Sequence, residues 1–176
     1  MVLKLNGHIL LNPPFDSKFP SLKILQLEFV NYANYDSLAT LLAVCPILQH
    51  LSLNVIGSDL TILDMKAGRF NITVLVPTLK RLHLCCFFLA WEYKLRINTP
   101  ALKYFYFHGV LGDNVVLENL PCLVESVLDV EESNFENIED YAKRVWDFMR
   151  PLYNVMSMKL CISTAGIRAH HNFFML

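Results

Sequence analysis

Histidine is the side chain in this sequence best suited to acid–base or metal chemistry, and its copies are His8, His50, His83, His108, His170 and His171. A metal site that can be recognised from sequence needs such ligands on one helical face, or histidines combined with closely spaced cysteine pairs. None of these histidines shares an i, i+4 helical face with another histidine or a carboxylate in a metalloenzyme motif. The sequence therefore predicts no catalytic residue, no metal site and no cofactor.

Cysteine is the other reactive side chain, and it occurs at Cys45, Cys85, Cys86, Cys122 and Cys161. The number is odd, the positions are scattered, and no CxxC pair or zinc-type spacing is present. The adjacent pair Cys85-Cys86 suggests redox chemistry, but neither thiol has an evident nearby base and neighbours on a strand point to opposite faces. We therefore predict that the cysteines are buried small hydrophobic residues in a reducing compartment.

Motifs for nucleophilic catalysis and phosphate binding are missing from the sequence. There is no G-x-S-x-G elbow, no G-x-x-x-x-G-K-[ST] loop and no G-x-G-x-x-G turn. The acidic run of Asp129, Glu131 and Glu132 is interpreted as a solvated strand end that leads towards a helix, rather than as a metal site. An enzyme is therefore not predicted.

Composition and charge exclude several further classes of protein. Hydrophobic residues make up 54% of the 176 residues and charged residues 18%, which argues against disorder. The longest apolar run, from Leu82 to Trp91, is far too short to span a bilayer. The segment from Met1 to Pro14 lacks a signal-peptide pattern, so a cytoplasmic or nuclear location is predicted. The net charge is -1 and basic residues are not clustered, so neither a membrane nor a nucleic acid is a predicted partner.

The elements that must position any functional side chain come from an internal repeat of the form LxxLxL. Its copies begin at Leu22, Leu48, Leu79, Leu102, Leu123 and Val155, and the later copies replace some leucines with Phe, Ser or Met. The intervals of 26, 31, 23, 21 and 32 residues average about 27, within the 20 to 29 residue period of leucine-rich repeats. Each copy predicts one short strand whose alternate residues point to opposite faces.

Alternation assigns the two faces of each strand. In the copy that begins at Leu22, Leu25 and Leu27 point to the core, while Ile24, Gln26 and Glu28 point outwards. The next copy buries Leu51 and Leu53 and exposes His50, Ser52 and Asn54. Stacked strands of this kind form a parallel sheet whose inner face packs against the returning half of each repeat.

Proline and helical spacing mark the segments between the strands. Prolines at 20, 46, 77, 100 and 121 precede the strands and end the incoming segments. A short helix is predicted from Asp36 to Cys45, capped by Asp36 or Ser37. Ser133-x-x-Glu136 resembles a capping box that opens a longer helix, which ends near Pro151. Between Ser58 and Val76, alternating apolar residues predict strands on the convex side, with a turn from Lys66 to Arg69.

The predicted fold is thus α/β, a leucine-rich-repeat solenoid in which a curved parallel sheet carries helices and irregular segments on its convex side. The repeat domain is predicted over residues 1–162, with an atypical C-terminal tail at residues 163–176. The tail contains His170-His171 and Phe173-Phe174 and does not continue the repeat.

Longer phrases in the repeats resemble one known family. The strings VLKLNGHILLNPP, FPSLKILQLEFVNYAN, LLAVCPILQHLSL, INTPALKYFYF and LENLPCLVESVLDV occur in this order. They resemble the repeat region of plant F-box/leucine-rich-repeat proteins of the FBD type, over roughly residues 2 to 162. Two departures from that family are apparent. No F-box pattern precedes the repeats, and no FBD pattern follows Leu160, so we expect a fragment or a truncated form.

The resemblance implies a protein-interaction module similar to the substrate-recognition repeats of an SCF-type ubiquitin ligase. The target protein is unknown, and the Skp adaptor and cullin are implied as partners only if a longer form carries an F-box. The alternative is a free leucine-rich-repeat scaffold or competitor that has no ubiquitin-ligase role.

The outward row of the predicted sheet is the candidate protein-binding surface, because a simple core needs no polar or aromatic residues there. Its predicted residues are Gln26, Glu28, His50, Ser52, Arg81, His83, Tyr104, Tyr106, Glu125, Asp129, Ser157 and Lys159. Within this set we predict that Tyr104 and Tyr106 lie side by side on the concave face and form the centre of any protein-binding patch, with Arg81 and His83 on one side and Glu125 on the other. A merely solvated sheet face is the competing interpretation.

Overall fold

The strands and helices of a computed structural model follow the repeat closely. The structure describes residues 1–14, 16–34, 36–56, 70–87, 93–111, 114–118, 120–132 and 137–164. In chain order its elements are β1 (Val2–Asn6), β2 (Leu10–Leu11), β3 (Ile24–Glu28), β4 (Asn31–Tyr32), α1 (Ser37–Ala43), β5 (His50–Ile56), β6 (Phe70–Val74), β7 (Arg81–Phe87), β8 (Tyr93–Asn98), β9 (Tyr104–Val110), β10 (Asn114–Glu118), β11 (Glu125–Glu132), α2 (Ile138–Met149), a 3-10 turn (Arg150–Leu152) and β12 (Ser157–Thr164).

One parallel sheet of seven strands, here called the large sheet, runs through the molecule in the order β1-β3-β5-β7-β9-β11-β12. Each LxxLxL copy supplies one of its strands, and β1 is the seventh strand. The register aligns equivalent repeat positions, so that Leu25 pairs with Leu3 on one side and Leu51 on the other. The structure is therefore a leucine-rich-repeat solenoid, as the sequence predicts.

The returning halves of the repeats form the other side of the core. Three of their strands make a second parallel sheet in the order β10-β8-β6, and β2 pairs with β4. Ile72, Leu95 and Ile97 of the second sheet join the same buried cluster as the inner leucines of the large sheet. Strand β6 confirms part of the predicted convex-side alternation. The predicted turn from Lys66 to Arg69, together with Leu60 and Ile62, lies outside the described residues.

Both predicted helices are present, but their caps differ from the prediction. Asp36 occupies the N-cap of α1 without a side-chain bond, and Asn34 Oδ1 instead accepts a hydrogen bond from the Asp36 amide at 2.9 Å. Asn137 caps α2 by accepting from the Glu139 amide at 3.1 Å. The predicted capping box at 133–136 lies outside the described residues, and α2 itself begins at Ile138.

The cysteines divide by their position in the repeat. Cys45 and Cys86 are buried, Cys85 and Cys161 are half-buried, and Cys122 is exposed. The prediction of a buried thiol was therefore wrong for Cys122, which lies in the turn that follows Pro121 rather than on a strand. The domain boundary proposed at residue 162 stays a prediction, and β12 continues to Thr164.

Gly109 lies where the backbones of β7 and β9 leave no room for a side chain. It pairs with Cys86 in the register of β7 and β9, and its φ is +135°. A Cβ built at this position would lie 1.9 Å from the carbonyl oxygen of Cys86. Only glycine avoids both the steric conflict and the strained backbone there.

We expect Gly109→Ala to lower the free energy of unfolding by roughly 2–4 kcal/mol, because the backbone is strained and β7 must move away. Gly7→Ala is the matched control, since Gly7 also has a positive φ, +105°, but a Cβ there would meet no atom within 4 Å. Its expected loss is about 1 kcal/mol, from backbone strain alone. Urea unfolding of both variants measures the difference, and equal losses would show that the Cys86 contact is unimportant.

Ser126 is an exception to the apolar inner row of the large sheet. It stands between Phe105 of β9 and Met158 of β12 in the register, and its side chain is fully buried. Among the described residues its hydroxyl oxygen has no hydrogen-bond partner, and the same holds for Thr99 Oγ1. Burying an unpaired hydroxyl costs about 1–3 kcal/mol.

Removing the unpaired hydroxyl should therefore stabilise the protein. We expect Ser126→Ala and the nearly isosteric Thr99→Val each to raise the free energy of unfolding by about 1 kcal/mol. Ser52→Ala removes a hydroxyl from the opposite, outer side of the sheet and should change stability by less than about 0.5 kcal/mol. Thermal and urea unfolding provide the values. A loss of stability in both core variants would mean that these hydroxyls are satisfied in solution.

Candidate protein-binding face

The outward side chains of the large sheet form a continuous surface, which we call the outer face. The parallel register arranges it in rows that cross the strands. The first row is Val2, Ile24, His50, Arg81, Tyr104, Glu125 and Ser157; the second is Lys4, Gln26, Ser52, His83, Tyr106, Val127 and Lys159; the third is Asn6, Glu28, Asn54, Cys85, His108, Asp129 and Cys161. Every residue predicted for the binding surface lies on this face.

The two tyrosines of β9, the fifth of the seven strands in the large sheet, lie two residues apart on the outer face. Tyr104 and Tyr106 are half-buried, while Phe105 and Phe107 between and beyond them point into the core. In the register, Arg81 and Glu125 flank Tyr104 on its two sides, and His83 lies beside Tyr106. The alternation along β9 therefore gives one strand an aromatic row on each of its faces.

Ring contacts with β7 hold both tyrosines in place. The Arg81 guanidinium carbon lies 4.0 Å from the centroid of the Tyr104 ring. The His83 and Tyr106 rings stack with centroids 4.3 Å apart and planes inclined by 4°. A cation–π contact at such a surface contributes about 0.5–1 kcal/mol. Tyr104 and Tyr106, here called the aromatic centre, are therefore ordered by their neighbours on β7.

The contacts of His83 are those on this face that most resemble a catalytic arrangement. Its Nδ1 lies 3.5 Å from Ser52 Oγ and 3.9 Å from Cys85 Sγ. A working Ser–His pair needs a carboxylate that orients the imidazole, whereas this nitrogen faces a hydroxyl and a thiol. Burial, and then the proximity of His108, lower the pKa of His83, which favours the neutral ring.

The electrostatics of Cys85 also oppose nucleophilic chemistry. Burial, followed by the negative charges of Asp129 and Glu28, raises the pKa of the Cys85 thiol to about 12. A reactive cysteine needs the reverse, a lowered pKa that supplies thiolate at neutral pH. The arrangement around His83 and Cys85 is therefore suited to packing and recognition.

Towards the carboxyl ends of the strands, His108 contacts two carboxylates of β11. Its Nε2 lies 3.2 Å from Glu131 Oε1 and 3.9 Å from Asp129 Oδ2. All three side chains are less than one fifth exposed. Nearer β1, Asn6 Nδ2 donates a hydrogen bond to Glu28 Oε2 at 3.0 Å. These contacts give the end of the face a defined acidic character.

Some outer-face residues were not included in the predicted set. Asn54, Cys85 and His108 occupy the third row. Glu131 is two residues beyond Asp129 and is the next side chain of β11 on the same face. The same alternation that selects Tyr104 and Tyr106 places these residues outwards, so the signal was available in the sequence. Conversely, Gln26, Ser157 and Lys159 lie on the face but away from its aromatic centre.

Comparison with known proteins agrees with this geometry. A family profile described as Leucine Rich Repeat matches residues 21–46. The chain is 33% identical to a putative FBD-associated F-box protein of Arabidopsis thaliana over 99% of its own length and 38% of the relative. It is also 33% identical to a putative F-box/FBD/LRR-repeat protein of that plant, over 91% of the chain and 36% of the relative. No solved structure gives a significant match.

Fold and repeat pattern together define a leucine-rich-repeat protein, a class of protein-interaction modules. The relatives show what this repeat region is similar to. The chain is a leucine-rich-repeat solenoid that is similar, over most of its own length, to part of plant F-box/FBD/LRR-repeat proteins, and the resemblance predicted from its phrases is confirmed. It spans less than two fifths of the length of these curated relatives. In the described part of the chain, no helix is long and apolar enough to cross a membrane.

The histidines of the outer face predict an acid-dependent loss of stability. Burial is the main cause that lowers the pKa of His50 and His83 in the folded chain. The unfolded chain, with histidine pKa values near 6.5, then binds more protons, so the free energy of unfolding falls as the pH drops below about 6.5. We expect this loss, measured by urea unfolding between about pH 7.5 and pH 5.5, to be smaller in His50→Gln/His83→Gln.

His8→Gln is the control for this measurement, because His8 is exposed and precedes β2 rather than lying on the outer face. In this variant, the fall in the free energy of unfolding between the two pH values should equal that of the original chain. An equal acid-induced loss in the double variant and the original chain would show that neither imidazole is held neutral by the fold.

Proposed function

We propose that the outer face of the large sheet binds a target protein, and that the chain serves as the substrate-recognition part of an SCF-type ubiquitin ligase when it is joined to an F-box. The Skp adaptor and the cullin would then be reached through the F-box, not through the repeats. No catalytic activity is assigned to the repeats themselves. The names of the relatives, which combine F-box, FBD and LRR, support this interpretation.

The observation that carries the proposal is the ordered aromatic centre formed by Tyr104 and Tyr106. Tyrosine presents a large, stiff apolar ring with a polar tip, and it is enriched among the residues that dominate protein interfaces. Here Arg81 and His83 hold the rings in place before any partner arrives. Less side-chain entropy is therefore lost on binding than for free surface tyrosines.

A ubiquitination experiment tests the role directly. The chain is fused behind the F-box of one of its Arabidopsis relatives and expressed in plant cells, and ubiquitinated proteins are quantified by mass spectrometry. The comparison is between the fusion with the unaltered chain, the Tyr104→Ala/Tyr106→Ala variant and the Tyr153→Ala variant. Tyr153 is the matched control, because it is 82% exposed but follows the 3-10 turn and lies off the outer face.

We expect proteins enriched by the unaltered fusion to lose their enrichment by more than about tenfold in the double variant, and to keep it in Tyr153→Ala. Melting temperatures of the purified chains must match within a few degrees, which separates lost binding from lost folding. Retained enrichment in a folded double variant would refute the assignment of the face. Binding of a target without its ubiquitination would instead support a free scaffold or competitor and refute the ligase role.

A further inference from the structure

The outer face has opposite charges at the two ends of its strands. Lys23, Lys80 and Lys103 each directly precede a strand of the large sheet and are exposed, and Arg81 is the first residue of β7. The Lys103 amide donates to the Lys80 carbonyl at 2.9 Å, which places these two lysines on neighbouring strand ends. In the described part of the chain, none of these cations forms an ion pair, and Glu125 is the carboxylate nearest to them in the register.

Acidic residues lie towards the opposite edge of the outer face, on β3 and β11, which flank β5, β7 and β9 in the large sheet. Glu28 closes β3, and Asp129 and Glu131 lie in the last half of β11. His108 connects the latter two carboxylates through the contacts described above. The two ends are separated by the length of the strand, since Arg81 and Cys85 are four residues apart, or about 13 Å at 3.3 Å per residue.

The same charges lie close enough to two groups on the face to shift their pKa values. After burial, the causes that lower the pKa of His50 are the positive charges of Arg81 and Lys80. After burial, the causes that raise the pKa of Cys85 are the negative charges of Asp129 and Glu28. Positive side chains therefore lie where β3, β7 and β9 begin, and negative side chains lie towards the ends of β3 and β11. Tyr104 stands in the first row beside Arg81, and Tyr106 stands in the second row, between the two sets of charges.

We propose that the outer face selects a segment of the target protein that lies along β7 and β9, with Asp or Glu side chains over the strand beginnings and Lys or Arg side chains over the strand ends. This inference rests on the proposed binding role of the same face. The complementary charges of the segment stand about 13 Å apart, which corresponds to four residues of an extended peptide. Its middle residues pack on Tyr104 and Tyr106.

Charge complementarity of this kind fixes the direction of the bound segment, because reversing it would place like charges together at both ends. It also argues against a nucleic acid as the occupant. A phosphate backbone has one sign of charge throughout, so its attraction to the lysine end would be opposed by repulsion from Asp129, Glu131 and Glu28.

Synthetic peptides test the inference even while the target protein is unidentified. The polarised probe carries two Asp residues, then Ser-Leu-Ser, then two Lys residues, and a fluorophore. Its matched control has the same composition with Asp and Lys alternating at both ends, so that net charge and length are equal but polarity is lost. Fluorescence anisotropy at low ionic strength measures both, since screening shortens the reach of exposed charges.

We expect the full chain to bind the polarised peptide at least about threefold more tightly than the alternating one. The Lys80→Gln/Lys103→Gln variant should bind the polarised peptide roughly three- to tenfold more weakly than the original chain does. The matched variant Lys94→Gln/Lys143→Gln makes the same charge change at exposed lysines of β8 and α2, away from the face, and should have no effect.

Equal affinities for the two peptides, or no binding of the polarised peptide up to about 1 mM, would overturn the inference. Tighter binding of a single-stranded RNA of matched length would overturn it as well. The Tyr104→Ala/Tyr106→Ala variant keeps the two proposals apart. If both peptides bind equally and both are lost in that variant, the binding face stands and its charge selectivity does not.

Discussion

The structure depends on one constraint, the fixed parallel register that stacks equivalent residues of successive repeats. A leucine such as Leu25 or Leu53 is buried because the same position of the neighbouring strands lies directly beside it. Burying each such side chain contributes roughly 1.5–3 kcal/mol, but only if the neighbour is in place. A slip of one residue would turn the leucines of a strand outwards. Each repeat is therefore stabilised by its neighbours and would not be stable alone.

The packing of the inner side chains also determines the distances between side chains on the outer face. Because strands lie about 4.8 Å apart, side chains in one row are held at contact distance across the sheet. The Arg81–Tyr104 and His83–Tyr106 contacts are direct consequences of that spacing. On the other side of β9, Phe148 of α2 packs edge-on against Phe107, with ring centroids 5.1 Å apart. The tyrosines thus stand on a strand whose inner face is firmly packed.

Sequence alone predicted the large sheet well, because both period-2 alternation and the recurrence of LxxLxL are local signals. It identified the strands, their inner leucines and the outward tyrosines. The sheet of β6, β8 and β10 was largely missed, since its strands carry no repeated phrase and pair only with one another. Details decided by three-dimensional neighbours also escaped prediction, such as the cap at Asn137, the exposure of Cys122 and the burial of Ser126. The pairing of Arg81 with Tyr104 and of His83 with Tyr106 could be assigned only once the register of β7 and β9 was known.

The position of the aromatic centre within the sheet follows from the same mutual support. The outermost strands of the described sheet each have one neighbour, and on β12 the inner-row side chains of Met158, Leu160 and Ile162 remain 38–55% exposed. Strands β7 and β9 have neighbours on both sides, so their inner residues are fully enclosed. A recognition surface needs side chains that are already ordered before the partner arrives. In a solenoid that condition is best met on strands with neighbours on both sides, and it is there that Tyr104, Tyr106 and their neighbours Arg81 and His83 lie.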